Sequence, residues 1–206
     1  MKFFEGMATI CMSMFLAVPA LAQSEGGEAG GGSDPQVFQA EMFKIVPPSG
    51  WLHVSGLLSD TELQKVPENV REHYTKTMSD VIFLDLRSPD SDTQNFKNSL
   101  NIVTVPEEIP LTKELVKELT TVLEQQYASM FTDFTLDSSG VERVGEREVL
   151  MFKGHYTVRE FSVNMEQVLV PSKSGPLVLT CTADSQKGGE AMEACRKSVA
   201  SVTFTD

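Results

Sequence analysis

The residues able to do chemistry are few and scattered: three histidines, His53, His73 and His155, and three cysteines, Cys11, Cys181 and Cys195. No histidine has a second ligand two to four residues on, the spacing that local metal sites use, so no metal site is assigned to them. The chain lacks the G-x-S-x-G elbow, the G-x-x-x-x-G-K-[ST] phosphate loop, H-E-x-x-H, C-x-x-C and G-x-G-x-x-G. Hydrolase, nucleotide-binding and dithiol-redox readings thereby lose their usual local support. No catalytic residue and no cofactor is expected. Catalysis or small-ligand or metal carriage would have to be assembled from distant residues, in a cleft near His53 or His155 where a carboxylate converges.

Hard oxygen ligands occur in "SPDSDT", where Ser88, Asp90 and Asp92 alternate, but the loop lacks the glycine and bidentate glutamate of an EF-hand and reads as a solvated acidic turn. "PEEIP" places Glu107 and Glu108 on a rigid connector. Asp90, Asp92, Glu107 and Glu108 are therefore candidate surface contacts rather than ligands. Trp51, the only tryptophan, opens a short apolar run after Pro47-Pro48-Ser49-Gly50. A core anchor is its first reading, and a contact with a partner the second.

The elements that must position these residues follow from periodicity. Phe43–Val46 and Trp51–Val54 read as two strands of a first hairpin, turned at a corner where the prolines withhold N–H donors and Gly50 permits an unusual φ. "SDTE" at 59–62 has the capping-box pattern and starts a loose helical segment that runs to Met78. "DVIFLDLR", 80–87, is apolar on both faces and is expected to be a central strand. "SLNIVTV" makes another strand. Leu115, Val116, Leu119, Val122, Leu123, Tyr127, Met130 and Phe131 then lie at helical spacing, with Thr112 as the cap.

After that helix come strands: "DFTL", a turn at Ser138-Ser139-Gly140, "VERV", "EVLMFKGHYTV", "FSVNM", "VLV" and, past "PSKSGP", "LVLTCTA". Cys181 falls on the apolar face of the last strand. Cys195 falls on the stripe Ala191, Cys195, Val199, Val202 of a final helix. Both thiols point inward, and the order strand, glycine turn, helix folds one over the other. A Cys181–Cys195 disulfide is expected. The succession predicts an α+β domain, an antiparallel sheet of about six or seven strands covered by helices.

The early "FKIVPPSGW" corner, the "LNIVTV" strand, the long amphipathic helix, the meander and the closing "SVASVTF" together resemble the PsbP-like fold, an α/β/α sandwich found in the extrinsic PsbP subunit, a Ran-binding import factor and DcrB-like exported bacterial proteins. The resemblance spans about residues 38–204. It implies a closing tail that returns to a sheet, protein partners, and no shared catalytic motif.

Before this domain, Lys2, the apolar run Met7–Val18 and Pro19-Ala20-Leu21-Ala22 have the pattern of a cleaved secretory signal, 1–22, too short to span a bilayer. Residues 23–36 are a glycine-rich leader without an apolar anchor, and 37–206 form one domain. Removing Lys2 and Glu5 with the signal leaves the net charge of −12 unchanged. That surface repels nucleic acid and anionic lipid. The sequence thus predicts an exported, periplasmic or secreted bacterial protein that binds another envelope protein without turnover.

Overall fold

A computed structural model describes residues 37–53, 81–85, 98–105, 109–158, 161–173 and 175–205. The signal and leader, the 59–78 helix, His73, and the acidic pairs Asp90/Asp92 and Glu107/Glu108 lie outside the described residues.

Ten strands and two helices are described: β1 (Phe38–Gln39), β2 (Phe43–Ile45), β3 (Leu52–His53), β4 (Val81–Leu84), β5 (Ser99–Thr104), α1 (Lys113–Met130), β6 (Thr132–Val144), β7 (Arg147–Val158), β8 (Phe161–Val170), β9 (Leu177–Asp184), α2 (Gly189–Ala200) and β10 (Thr203–Phe204). A seven-stranded sheet has the order β3-β4-β5-β9-β8-β7-β6, and a three-stranded one the order β1-β2-β10. Every pairing is antiparallel. The α+β expectation holds.

The centre of the large sheet is β9, whose Leu177, Val178, Leu179, Thr180 and Cys181 are all buried. Its two faces feed two cores. On one, Val178 joins Val103, Leu150, Phe152, Val163, Met165 and Leu169 beneath Leu119, Leu123 and Tyr127 of α1. On the other, Leu177, Leu179, Cys181 and Ala183 pack with Leu100, Ile102, Val168 and Val170 beneath Ala191, Met192, Cys195 and Val199 of α2. Helix α1 begins where its sequence says it should: the Thr112 hydroxyl accepts from the Leu115 N–H at 3.2 Å.

Polar groups interrupt the α1 core in one satisfied chain. The Tyr127 hydroxyl donates to Gln167 Oε1 at 3.1 Å, and Gln167 Nε2 donates to Thr180 Oγ1 at 3.3 Å. Buried amides and hydroxyls are tolerated when each finds a partner.

Three expectations are corrected. The Pro-Pro-Ser-Gly corner is a turn, with Gly50 at φ 76° and the Trp51 N–H donating to the Pro48 carbonyl at 3.1 Å, a geometry of type II. Yet β2 and β3 do not form a hairpin: β2 is paired on both edges, by β1 and β10, so the corner carries the chain out of the small sheet to the rim of the large one. Strand β4 lies one place in from that rim rather than at the centre. Ser138-Ser139-Gly140 is not a turn, because β6 pairs β7 continuously through it and absorbs the irregularity as a bulge between Leu136 and Ser138. The reversal comes at Gly145-Glu146, where Val144 faces Arg147 and Gly145 has φ 62°, as a two-residue hairpin loop with glycine first requires.

The closing tail returns as the resemblance implied, to the small sheet. Thr203 pairs Lys44 and Phe204 pairs Phe43. Arg147 ties the tail to the large sheet, donating to the Val202 carbonyl and lying 5.4 Å over the Phe204 ring.

The tight link between β9 and α2 gives a paired test. A Cβ on Gly188 would lie 2.4 Å from the Asp184 carbonyl oxygen and 2.5 Å from Ala183 Cβ, while one on Gly189 meets nothing within 4 Å. Gly188→Ala is expected to cost about 1–3 kcal/mol by overpacking, and Gly189→Ala to be neutral or to stabilise by about 0.5–1 kcal/mol. Urea denaturation of both variants checks this, and equal effects would contradict it.

Candidate functional site

Helix α2 covers only part of its sheet face. In the cross-strand row Leu100–Cys181–Glu166–Lys153–Ser138, the first two side chains are buried in the core, Lys153 is half-buried and Ser138 is exposed. Glu166 stands at the border, and its side chain is only 7 % exposed. A carboxylate there needs a partner, since an unpaired buried charge is costly. Arg196 supplies it from the edge of α2: its Nε lies 2.9 Å from Glu166 Oε2, and its Nη2 donates to Oε1. The carboxylate in turn raises the Arg196 pKa, chiefly through this hydrogen bond.

Beyond that border β6, β7 and β8 present a polar sector that no element covers among the described residues. Asp137 sits at the β6 bulge with an oxygen 3.0 Å from His155 Nδ1, both side chains about half exposed. Lys153 Nζ donates to both oxygens of Glu142 at 2.8 and 3.0 Å. Asn164, opposite His155, and Ser162, opposite Thr157, are exposed on β8 beside them. A carboxylate on one nitrogen of His155 orients the ring as a general base would need. The pair nevertheless lies on an open sheet face, where water reaches both groups and screens their interaction.

His53 is elsewhere, on edge strand β3, and does not approach His155. Its ring packs 4.7 Å from Phe38 and 5.3 Å from Phe83, and desolvation by these neighbours lowers its pKa although the residue remains exposed. Among the described residues no group of three His, Cys, Asp or Glu side chains is placed to hold a metal ion. Trp51 takes its first reading, a core anchor, and not its second, a surface contact. It is 8 % exposed in the core with Phe43, Ile45 and Phe83, because the type II turn directs the chain inward at that point.

The two cysteines meet as expected. Both are buried in the core under α2, where the Cys195 thiol donates to the Ser99 carbonyl at 3.9 Å, one residue from Leu100, the register partner of Cys181. Both are free thiols in this structure. Burial first, and then the hydrogen bond with Cys195, push the Cys181 thiol well above its ordinary pKa, so it stays protonated.

Sequence reasoning singled out His155, Cys181 and Cys195 and missed Glu166, Arg196, Asp137, Lys153 and Glu142. One signal was present for the first: Glu166-Gln167 interrupts the apolar run of "FSVNMEQVLV". Asp137 and Glu142 carry no local mark, since their partners stand 18 and 11 residues away.

No family model and no curated protein matches the chain. Solved structures do. Cyanobacterial PsbP (CyanoP) from Synechocystis sp. PCC 6803 matches with a TM-score of 0.55 at 14% identity, over 86% of this chain and 98% of that one. LpqN of Mycobacterium tuberculosis, described as involved in cell envelope biogenesis, matches at 0.44 with 15% identity, over 80% and 83% of the two chains. The protein of unknown function PA94 from Pseudomonas aeruginosa matches at 0.44 with 12% identity, over 59% and 79%. The cyanobacterial likeness shows a PsbP-like fold. It does not separate DcrB-like proteins from other bearers of that fold, and the two matches below 0.5 add nothing to it.

The border pair predicts an asymmetric response to substitution. Arg196→Met leaves Glu166 charged and buried, at an expected cost of about 1–3 kcal/mol, below the figure for a fully buried pair because Arg196 is half exposed. Adding Glu166→Gln should recover part of that loss in urea denaturation. A double variant less stable than Arg196→Met alone would refute the pairing.

His53 predicts a pH dependence. A lowered folded-state pKa means that the unfolded chain binds more protons below about pH 6.5, so stability falls as pH drops through that value toward the folded one. His53→Gln should show a smaller decrease in Tm from pH 7.5 to 5.0 than the parent, and an equal or larger decrease would contradict the desolvation account.

Proposed function

We propose that this protein is an exported accessory protein of the cell envelope that acts by binding another envelope protein through the uncovered β6–β8 sector. The observation that carries this reading is the sector itself: a sheet face that, among the described residues, is left open where α2 ends and bears both signs of charge already ordered in the pairs His155–Asp137 and Lys153–Glu142. Ordered polar side chains lose little further freedom on docking, and mixed charge recognises a complementary protein surface better than a polyanion. Export is supported by the signal pattern at 1–22. No described helix is long and apolar enough to cross a membrane. The PsbP-like fold fits an accessory role by analogy of architecture.

The His155–Asp137 pair is the specific observation favouring a second reading, catalysis or small-ligand binding at His155. Its exposure favours contact over proton transfer. A photo-crosslinking residue placed at Asn164 or Ser162, with Lys117 or Glu124 of α1 as controls, separates the two. The expected outcome is one discrete protein adduct in the native envelope from the β8 positions alone, lost with Asp137→Lys/Lys153→Glu at unchanged Tm. Adducts equally strong from α1, or none from β8, would overturn the assignment.

A further inference from the structure

We propose that Cys181 and Cys195 are a modification site, coupled by a thiol–disulfide oxidant into a bond that staples α2 and the small sheet onto β9 and is then sealed by the closed fold. This does not depend on which partner the open sector binds. Four observations converge on it. The two thiols come from different elements, the central strand and the helix lying over it, and share one core, in which Cys195 Sγ lies 3.9 Å from the carbonyl oxygen of Ser99, next to Leu100, the register partner of Cys181. Both are 1 % exposed. The only other cysteine, Cys11, falls in the predicted signal. Finally, α2 runs directly into the tail that completes the small sheet: Ser201 caps the helix and accepts from the Val46 N–H at 2.8 Å, and β10 pairs β2. Whatever holds α2 on β9 therefore also holds β10 against β2.

The chemistry balances with an exported disulfide oxidant. One protein thiolate attacks the oxidant's disulfide and expels a thiolate; the second attacks the mixed disulfide and expels the other. The protein gives up two protons and two electrons, and the oxidant leaves as two thiols. In the docked fold neither sulfur can be reached, and Cys181 is held protonated, so the reaction belongs to folding, before α2 seats. The same burial afterwards excludes reductants.

The full-length chain, exported in a bacterial host and purified without reductant, is denatured, alkylated and digested. A crosslinked 181–195 peptide pair with neither cysteine alkylated is expected, and two alkylated cysteines would overturn the proposal. Chain that has been reduced, unfolded and refolded in a glutathione redox buffer should close the same bond; failure to close it also overturns the proposal. The oxidised form should melt on the order of 5–10 °C above the reduced one, a difference absent in Cys181→Ala/Cys195→Ala. Dithiothreitol should reduce the native protein slowly and the urea-unfolded protein fast. Equal rates would refute the sealing.

Discussion

Burial of β9 on both faces is the constraint to which the remaining elements answer. With β5 on one edge and β8 on the other, β9 has no route to water for its side chains, and an apolar strand so placed requires cover on each side. Helix α1 provides it over Val178, and α2 over Leu177, Leu179 and Cys181. The two helices differ in reach. The 18-residue α1 runs along β6 and closes its core with an aromatic group in which Phe131 stacks on Tyr156 at 4.1 Å. The 12-residue α2 lies over β9 and leaves the rest of its face to the small sheet on one side and, among the described residues, uncovered on the other.

That unequal cover creates the polar border. Where α2 ends, the sheet must pass from apolar to hydrated within one cross-strand row, and Glu166 with Arg196 makes the transition. A buried ion pair is weak evidence for net stability, so its physical value here is better placed in fixing the seat of α2 on the sheet. Past it, pairs such as Lys153–Glu142 contribute little to stability because water screens them. Their position in space is their main property, which is why the binding reading rests on them.

Much of the fold was legible in short-range patterns. The α1 stripe and its Thr112 cap, the inward faces of Cys181 and Cys195, and the glycine corner at 47–50 all depend on contacts within a few residues, and the periods of 3.6 and 2 record them. Legibility failed where a strand's role depended on partners far along the chain. Apolarity on both faces put β4 at the centre, but β9 has the same property and occupies that place. Proximity suggested a β2–β3 hairpin, but β10, far along the chain at Thr203–Phe204, took the edge that β3 would have used. For the site, a single histidine was visible, while its carboxylate and the Glu166–Arg196 bridge were not.

The amino-acid sequence by itself determined the α+β class, the amphipathic helices, the meeting of the two cysteines and the likeness to the PsbP-like fold, because each follows from local periodicity and from the order of elements. Tertiary structure alone decided strand order, the division into two sheets and the composition of the open sector. The physical reason is that backbone hydrogen bonds between strands are chemically alike whichever strands share them. Which edges pair is settled by the joint packing of the whole chain, above all by the need to bury β9, and no local stretch of residues records that outcome.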